Sequence, residues 1–219
     1  MQILITGGTG FIGAELVKAL SDQGHKLVIY TRGKDHFESN KISYTNSLEH
    51  IGSQEYFDCF INLAGESMAG GRWTEARKAQ LIASRIETTR ALVDLARRLN
   101  KPPAVVLSAS AIGFYGHQGD HLLTEDATPV AGFSHSLCQA WEEEASKLAE
   151  LGCRVCVLRL GVVLSARGGA MEELTRSARM GVATWLGNGK QWLSWVHRDD
   201  VIAAMQYLVA QEGLSGVFN

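Results

Sequence analysis

The chain has 219 residues, with 21 Lys or Arg against 23 Asp or Glu, a formal net charge of -2 and 46% hydrophobic residues. That balance excludes a disordered chain, which buries too little apolar surface to offset the entropy of ordering. It gives no electrostatic ground for expecting nucleic acid as a partner, and the length is ample for a packed core.

In chain order, Gln2–Thr6 is a short apolar run and reads as a buried strand. The run has no basic residues ahead of it and stops at Thr6-Gly7-Gly8, so no leader peptide is expected and a cytoplasmic location is the default. Residues 11–23 carry Phe11, Ile12, Leu16, Ala19 and Leu20 at helical spacing, and Gly24 ends the helix. Residues 26–31 form a second strand, Ile42–Thr45 a short third and residues 59–63 a fourth. Residues 74–99 read as a long, charge-laced helix closed by Asn100-Lys101-Pro102-Pro103. Residues 104–108 are a fifth strand, followed by a glycine-containing loop over 109–132 and a helix over 134–151 that ends at Gly152. Arg154–Leu160 is a sixth strand, 201–211 a helix, and 217–219 the start of another strand. No run of 18 apolar residues appears, so no membrane span is expected.

Strands that read as unbroken apolar runs are buried on both faces, and here they alternate with helices. The pattern predicts an α/β fold: a Rossmann-type doubly wound parallel sheet, with residues 1–219 as one domain. Four cysteines (Cys59, Cys138, Cys153, Cys156) are too few for a disulfide scaffold. Cys153 and Cys156 match C-x-x-C but lie in a strand, with no second pair to complete a zinc site. Buried structural thiols are the expectation, redox or metal use the alternative, and no metal site is predicted.

Between the first strand and the first helix, Gly7, Gly10 and Gly13 give G-x-x-G-x-x-G. A tight turn without Cβ atoms lets the backbone approach a pyrophosphate, which then meets the free N–H groups of the first helical turn. Gly13 is expected to allow close packing of helix on sheet. Gly7, Thr9, Gly10, Phe11, Ile12 and Gly13 are therefore candidate cofactor-binding residues. The second strand ends Tyr30-Thr31-Arg32, with no carboxylate to hold a ribose 2′-hydroxyl; Asp35 comes three residues too late. A hydroxyl and a guanidinium suit a 2′-phosphate, so Thr31 and Arg32 favour NADP(H) over NAD(H). The alternative for Arg32 is a solvated loop cation.

With these motifs in place, the chain resembles the short-chain dehydrogenase/reductase superfamily in its extended, epimerase-like form. Thr6-Gly7-Gly8-Thr9-Gly10-Phe11-Ile12-Gly13 opens it, and Asn62-Leu63-Ala64-Gly65 resembles the family segment that lines the cofactor. Ser108-Ala109-Ser110-Ala111 ends the fifth strand, where the family keeps its active-site serine. Gly187-Asn188-Gly189-Lys190-Gln191 and Trp195-Val196-His197-Arg198-Asp199-Asp200 look like the substrate-lobe signature. Asn62–Ser67 (NLAGES), Arg72-Trp73, Ser84-Arg85, Trp141-Glu142-Glu143, residues 159–164 and Gly168-Gly169-Ala170-Met171 narrow the resemblance. They are similar to the atypical, YfcH-like "epimerase family" proteins, bacterial relatives of the mammalian SDR39U1 group.

The resemblance implies NADP(H) as cofactor, held also by Leu63, Ala64, Gly65 and Arg85, and an unidentified small-molecule substrate touched by His197. Arg159 is a similar expectation for a cofactor or substrate anion. It implies that residues 161–200 contribute to a small substrate lobe, truncated here because group members carry a C-terminal extension. Extended relatives often dimerise through the two long helices, here residues 74–99 and 134–151. The diphosphate-clamping Arg expected just after Gln191 is replaced by Trp192-Leu193-Ser194-Trp195, which weighs against a nucleotide-sugar substrate. Trp185, Trp192 and Trp195 suggest an aromatic pocket wall or simple core.

The departure that matters most is the superfamily's Tyr-x-x-x-Lys pair, in which a tyrosine protonates the alkoxide left by hydride transfer and a lysine lowers its pKa. The matching stretch is Gly132-Phe133-Ser134-His135-Ser136-Leu137-Cys138, so the pair becomes Phe133/Leu137 or Ser134/Cys138. Ser110 and Tyr115 are the candidate catalytic residues in its place; His135 is a weaker donor, and Glu142 and Glu143 read as serving solubility and packing. Two readings stand. One is an NADP(H)-dependent oxidoreductase or nucleoside-diphosphate-sugar-epimerase-like enzyme; the other is a non-catalytic NADP(H)-binding redox sensor or regulatory protein.

Overall fold

Among the described residues there are nine strands and five α-helices, most of them on the apolar runs. They are β1 (Gln2–Thr6), α1 (Gly13–Asp22), β2 (Lys26–Tyr30), β3 (Ile42–Thr45), β4 (Cys59–Asn62), α2 (Glu75–Arg98) and β5 (Val105–Ala111). Then come α3 (Phe133–Ser146), β6 (Arg154–Leu160), β7 (Val162–Leu164), α4 (Ala170–Arg179), β8 (Trp195–His197), α5 (Arg198–Ala210) and β9 (Gly216–Phe218). The structure, a computed structural model, describes residues 1–33, 39–68, 71–166, 168–182 and 188–219. Asp35, Trp185 and Gly187 lie outside the described residues.

Seven strands form one sheet in the order β3-β2-β1-β4-β5-β6-β9, and every neighbouring pair is parallel. The strand order reverses between β1 and β4, so the chain winds outward from that line in both directions. Alternate side chains leave a strand on opposite faces, and β1 shows the result. Ile3 and Ile5 pack with Leu16, Val17 and Leu20 of α1 and with Val201, Ile202 and Met205 of α5. Leu4, between them, packs with Leu92, Val93, Leu95 and Ala96 of α2. The parallel, doubly wound α/β architecture is thus the Rossmann-type fold that the alternating apolar runs predict.

The same alternation separates the C-x-x-C cysteines. Cys153 joins the core layer under α2 and Cys156 the layer under α1 and α5, and both thiols are free and buried. Burial pushes the Cys153 thiol up to about 11, and it also raises Cys59 and Cys156. Among the described residues no three His, Cys, Asp or Glu side chains group as metal ligands. No helix among them is long and apolar enough to cross a membrane.

Three differences from the sequence expectation have local causes. Helix α1 begins at Gly13 because Phe11 and Ile12 are used by the turn before it. Strand β5 runs on to Ala111 because Ser108-Ala109-Ser110-Ala111, with no apolar signal, keeps pairing with β6. Strands β7 and β8 pair in a separate two-stranded sheet that, with α4, falls within residues 161–200. At three residues each they are too short to show a period, and a single residue, Gly161, parts β7 from β6.

Candidate nucleotide cleft and reaction site

Parallel sheets bind ligands beyond the carboxyl ends of their strands, where the strand order reverses. At that place, past β1, β2 and β4, lies a cleft of about 800 Å³ lined by Gly7, Thr9, Gly10, Thr31, Arg32, Leu63, Ala64, Gly65 and one side of α2. Gly7 has φ +69°, and a Cβ on it would lie 2.5 Å from the Leu63 carbonyl oxygen. A Cβ on Gly13 would lie 2.2 Å from the Gly7 carbonyl oxygen. Neither Gly7 nor Gly13 can therefore carry a side chain, and the turn closes through a Gly10 N–H to Gly7 carbonyl bond of 3.0 Å. No side chain caps α1; within its first turn the Ala14 amide already donates to the Gly10 carbonyl at 2.9 Å, so no side chain competes with a ligand there but not every donor is free.

A buried polar chain braces the floor of the cleft. The Thr6 hydroxyl donates to Asn62 Oδ1 at 2.7 Å and accepts from the Ala64 amide at 3.3 Å. Asn62 Nδ2 donates to Thr89 Oγ1 at 2.8 Å, and Trp141 Nε1 donates to the same oxygen at 3.0 Å. Thr89 passes its own proton to the Arg85 carbonyl at 2.7 Å. The ends of β1 and β4 are in this way tied to both α2 and α3.

Charges gather at the mouth. Arg32 Nη2 lies 3.1 Å from Glu66 Oε1, and Arg77 Nη1 lies 3.5 Å from Glu66 Oε2. The hydrogen bond from Arg32 holds the Glu66 carboxyl below the usual carboxylate range. Arg85 lies beneath, donating to the carbonyls of Leu81 at 3.1 Å and Glu66 at 3.0 Å, and burial lowers its pKa.

A second group of polar residues surrounds the end of β5. Ser110 donates to Glu142 Oε1 at 2.5 Å. Glu142 in turn accepts two bonds from Arg159, at 3.0 and 2.8 Å. Arg159 donates to the Tyr115 hydroxyl at 2.9 Å, its guanidinium lies 3.4 Å from the Phe114 ring centroid, and Tyr115 donates to Asn219 Oδ1 at 2.6 Å. Burial works against the charge of Arg159, yet Glu142 and Tyr115 outweigh it and raise the pKa. On α3, Ser134 and Cys138 stand four residues apart on one face; a Cβ on Gly113 would lie 3.2 Å from Ser134 Cβ and 3.7 Å from Cys138 Sγ. Adjoining this group is a hollow of about 1000 Å³ lined by Tyr115, Arg159, Trp192, Trp195, Tyr207 and Asn219, among others.

The model of the NAD dependent epimerase/dehydratase family matches residues 3–219. The chain belongs to this family. Among its relatives, "Epimerase family protein SAR0825" of Staphylococcus aureus strain MRSA252 is 38% identical over 223 residues, covering 100% of this chain and 74% of that protein. "Epimerase family protein YfhF" of Bacillus subtilis strain 168 is 35% identical over 224 residues, covering 100% of this chain and 73% of that protein. Among solved structures, human epimerase family protein SDR39U1 (isoform 2), crystallised with NADPH, superposes with TM-score 0.87 at 28% identity. The match covers 100% of this chain and 73% of that one.

Within this epimerase/dehydratase fold, the glycine turn, Thr31, Arg32 and the Leu63–Gly65 stretch come together around one cleft. Phe11 instead lies beside Gly168 and Gly169, and the Arg198 guanidinium sits 5.2 Å from its ring centroid. Ile12 and Gly13 stand behind the turn, and the close neighbour of Gly13 is the turn's own backbone rather than the sheet. Arg85 faces Gly65 from below. Ser110 and Tyr115 share the second group and are both buried. His197 ends β8 and caps α5, its Nδ1 accepting from the Asp199 amide at 3.3 Å. His135 Nδ1 lies 2.7 Å from the Phe114 carbonyl.

The reading of Glu142 as a solubility and packing residue is corrected: it is 13% exposed and forms the buried fork with Arg159, whereas Glu143 is exposed and pairs with Gln139. Glu66 and Arg77 also escaped notice. Glu66 follows the cofactor-lining segment directly, and Arg77 sits in the first turn of α2, facing the same cleft; those positions were the available signal.

Proposed function

We propose that this chain binds NADP(H) and is an oxidoreductase or epimerase-like enzyme acting on a small molecule without a Tyr–Lys pair. The observation that carries the cofactor reading is Arg32. It lines the cleft beside Thr31 and Gly33, and the end of β2 presents no carboxylate there. The Gly7–Gly13 turn, closed to a Cβ at both of those glycines, fits a pyrophosphate, and the relationship to SDR39U1, solved with NADPH, supports the same cofactor. NADP(H) supplies or takes a hydride when bound.

On the reaction side, the positions that the resemblance gives to tyrosine and lysine hold Phe133 and Leu137 or Ser134 and Cys138, and the latter two share the face of α3 that meets Gly113. A serine hydroxyl and a buried thiol do not replace a phenol tuned by an ammonium. Burial raises the Cys138 thiol further. Ser110 is then the residue to orient a substrate carbonyl, which requires its hydroxyl proton to turn from Glu142 to the substrate, and Tyr115 bounds the adjoining aromatic hollow. With NADP(H) bound, positioning would supply most of the rate of hydride transfer, and Ser110 with a water, or Tyr115, would give the alkoxide its proton.

A second reading, a non-catalytic NADP(H)-binding sensor, is favoured by the hydroxyl protons of Ser110 and Tyr115 being committed to Glu142 and Asn219. The test is loss of NADPH absorbance in the presence of a panel of small carbonyl compounds. Turnover abolished by Ser110→Ala supports the enzyme; tight NADPH binding without turnover on any compound supports the sensor. For the cofactor itself, NADPH is expected to bind more tightly than NADH, with Arg32→Ala erasing the difference; equal affinities in the unaltered protein would overturn the NADP(H) reading.

A further inference from the structure

We propose that Arg77 is the second cation of the subsite for the cofactor's 2′-phosphate, and that the Glu66 carboxylate, set between Arg77 and Arg32, stands in for that phosphate until NADP(H) displaces it. The inference rests on the NADP(H) reading above.

The two guanidiniums differ in how they are held. Arg77 is 18% exposed, with Nη2 on the Ser67 carbonyl at 2.6 Å and Nη1 on Gln80 Oε1 at 3.2 Å. Its backbone amide is fixed as well, donating to the Thr74 hydroxyl that caps α2. Arg32 is 82% exposed and donates to Glu66 Oε1 at 3.1 Å. One cation is therefore built into the wall and the other swings from the end of β2. A doubly charged phosphate suits such a pair better than a single carboxylate, since Arg forks bind phosphate oxygens in parallel.

Glu66 is built to move at its side chain alone. Its amide donates to Ser84 Oγ at 3.1 Å and its carbonyl accepts from Arg85 at 3.0 Å. The backbone is pinned from both sides, while the carboxylate reaches out across the mouth, 34% exposed. Left in place, it would confront an incoming phosphate with a like charge. Rotated away, it frees both guanidiniums at once. Among the described residues, the other carboxylate lining this cleft, Glu87, is ten residues further along α2 than Arg77, roughly 15 Å at 1.5 Å per residue, too far to share the role.

The test measures binding, by calorimetry, of two fragments that lack the nicotinamide: 2′,5′-ADP, which carries the 2′-phosphate, and 5′-AMP, which does not. Glu66→Gln keeps the shape and removes the charge. It is expected to tighten 2′,5′-ADP by about 1.5- to 5-fold, the scale of a partly exposed charge pair, and to leave 5′-AMP unchanged. Arg77→Ala is expected to weaken 2′,5′-ADP and not 5′-AMP, with Arg77→Lys recovering part of the loss; circular dichroism checks that each variant is folded. Unchanged or weaker 2′,5′-ADP binding by Glu66→Gln, or an Arg77→Ala variant that keeps its preference for 2′,5′-ADP, would overturn this inference alone if Arg32→Ala still abolishes the preference. No preference for 2′,5′-ADP in the unaltered protein would overturn the cofactor reading and this inference with it.

Discussion

Glu142 of α3 grips Arg159 of β6 through two parallel hydrogen bonds, at 3.0 and 2.8 Å, with the guanidinium 5% exposed and the carboxylate 13%. Bidentate pairs of this kind are strong, and removing one partner leaves the other as an uncompensated buried charge.

Glu142→Ala should therefore destabilise the fold by about 3–5 kcal/mol. The double variant Glu142→Ala/Arg159→Met should recover much of that loss, because the stranded cation is gone. Urea unfolding of the three proteins checks both statements; a single variant as stable as the unaltered chain would mean the pair is solvated.

Thr89 holds two donors, the Asn62 amide and the Trp141 indole. Thr89→Val keeps the shape, strands the Trp141 indole and leaves Asn62 Nδ2 only the 3.5 Å contact with Ser108 Oγ, at about 1–3 kcal/mol for an unsatisfied buried group. Thr89→Ser should restore most of the stability because the hydroxyl returns. Denaturant midpoints of the two variants decide the matter.

Gly13→Ala puts a methyl into the Gly7 carbonyl, where an added Cβ would sit at 2.2 Å. The turn must shift, at about 1–3 kcal/mol of overpacking, and NADPH affinity should fall with it. Gly213→Ala, where an added Cβ meets nothing within 4 Å, serves as the control and should change neither. Melting temperature and a nucleotide titration give the two readouts.

Above pH 9 the protein should lose stability. The Cys153 thiol is raised from 9.0 to about 11 by burial, so between those values the unfolded chain has released a proton that the folded chain retains. The unfolded state then binds fewer protons and stability falls as pH rises. Below pH 9 both states hold the proton and the contribution is constant. Cys153→Ala should flatten the slope of urea midpoint against pH over that window without abolishing it, because burial raises the Cys59 thiol as well.

Much of the fold can be read from the sequence because its causes are local. The apolar runs at Gln2–Thr6 and Arg154–Leu160 could only be strands buried on both faces, and the structure places them so. The glycine turn was legible for the same reason, since the ban on Cβ atoms comes from backbone within the turn and the adjacent β4 loop. Glu142 was not, because three consecutive glutamates on a helix look alike until Arg159 arrives from a strand 17 residues further on. Arg77 hid among the charges of α2, whose sequence shows no sharp apolar stripe: the side that meets the cleft is as polar as the side that meets water. The β7–β8 ladder depends on pairing across more than 30 residues, which no periodicity announces.

The chain of hydrogen bonds from the Ala64 amide through Thr6, Asn62 and Thr89 ends on the Trp141 indole, which is 5% exposed, whereas Trp192 and Trp195 are 76% and 61% exposed. A molecule that presses on Ala64 is thus linked to a sheltered chromophore. An external quencher such as iodide should silence the exposed indoles, Trp73 at 41% among them, and the blue-edge emission of Trp141 that survives should then follow the filling of the cleft, an optical gauge of occupancy.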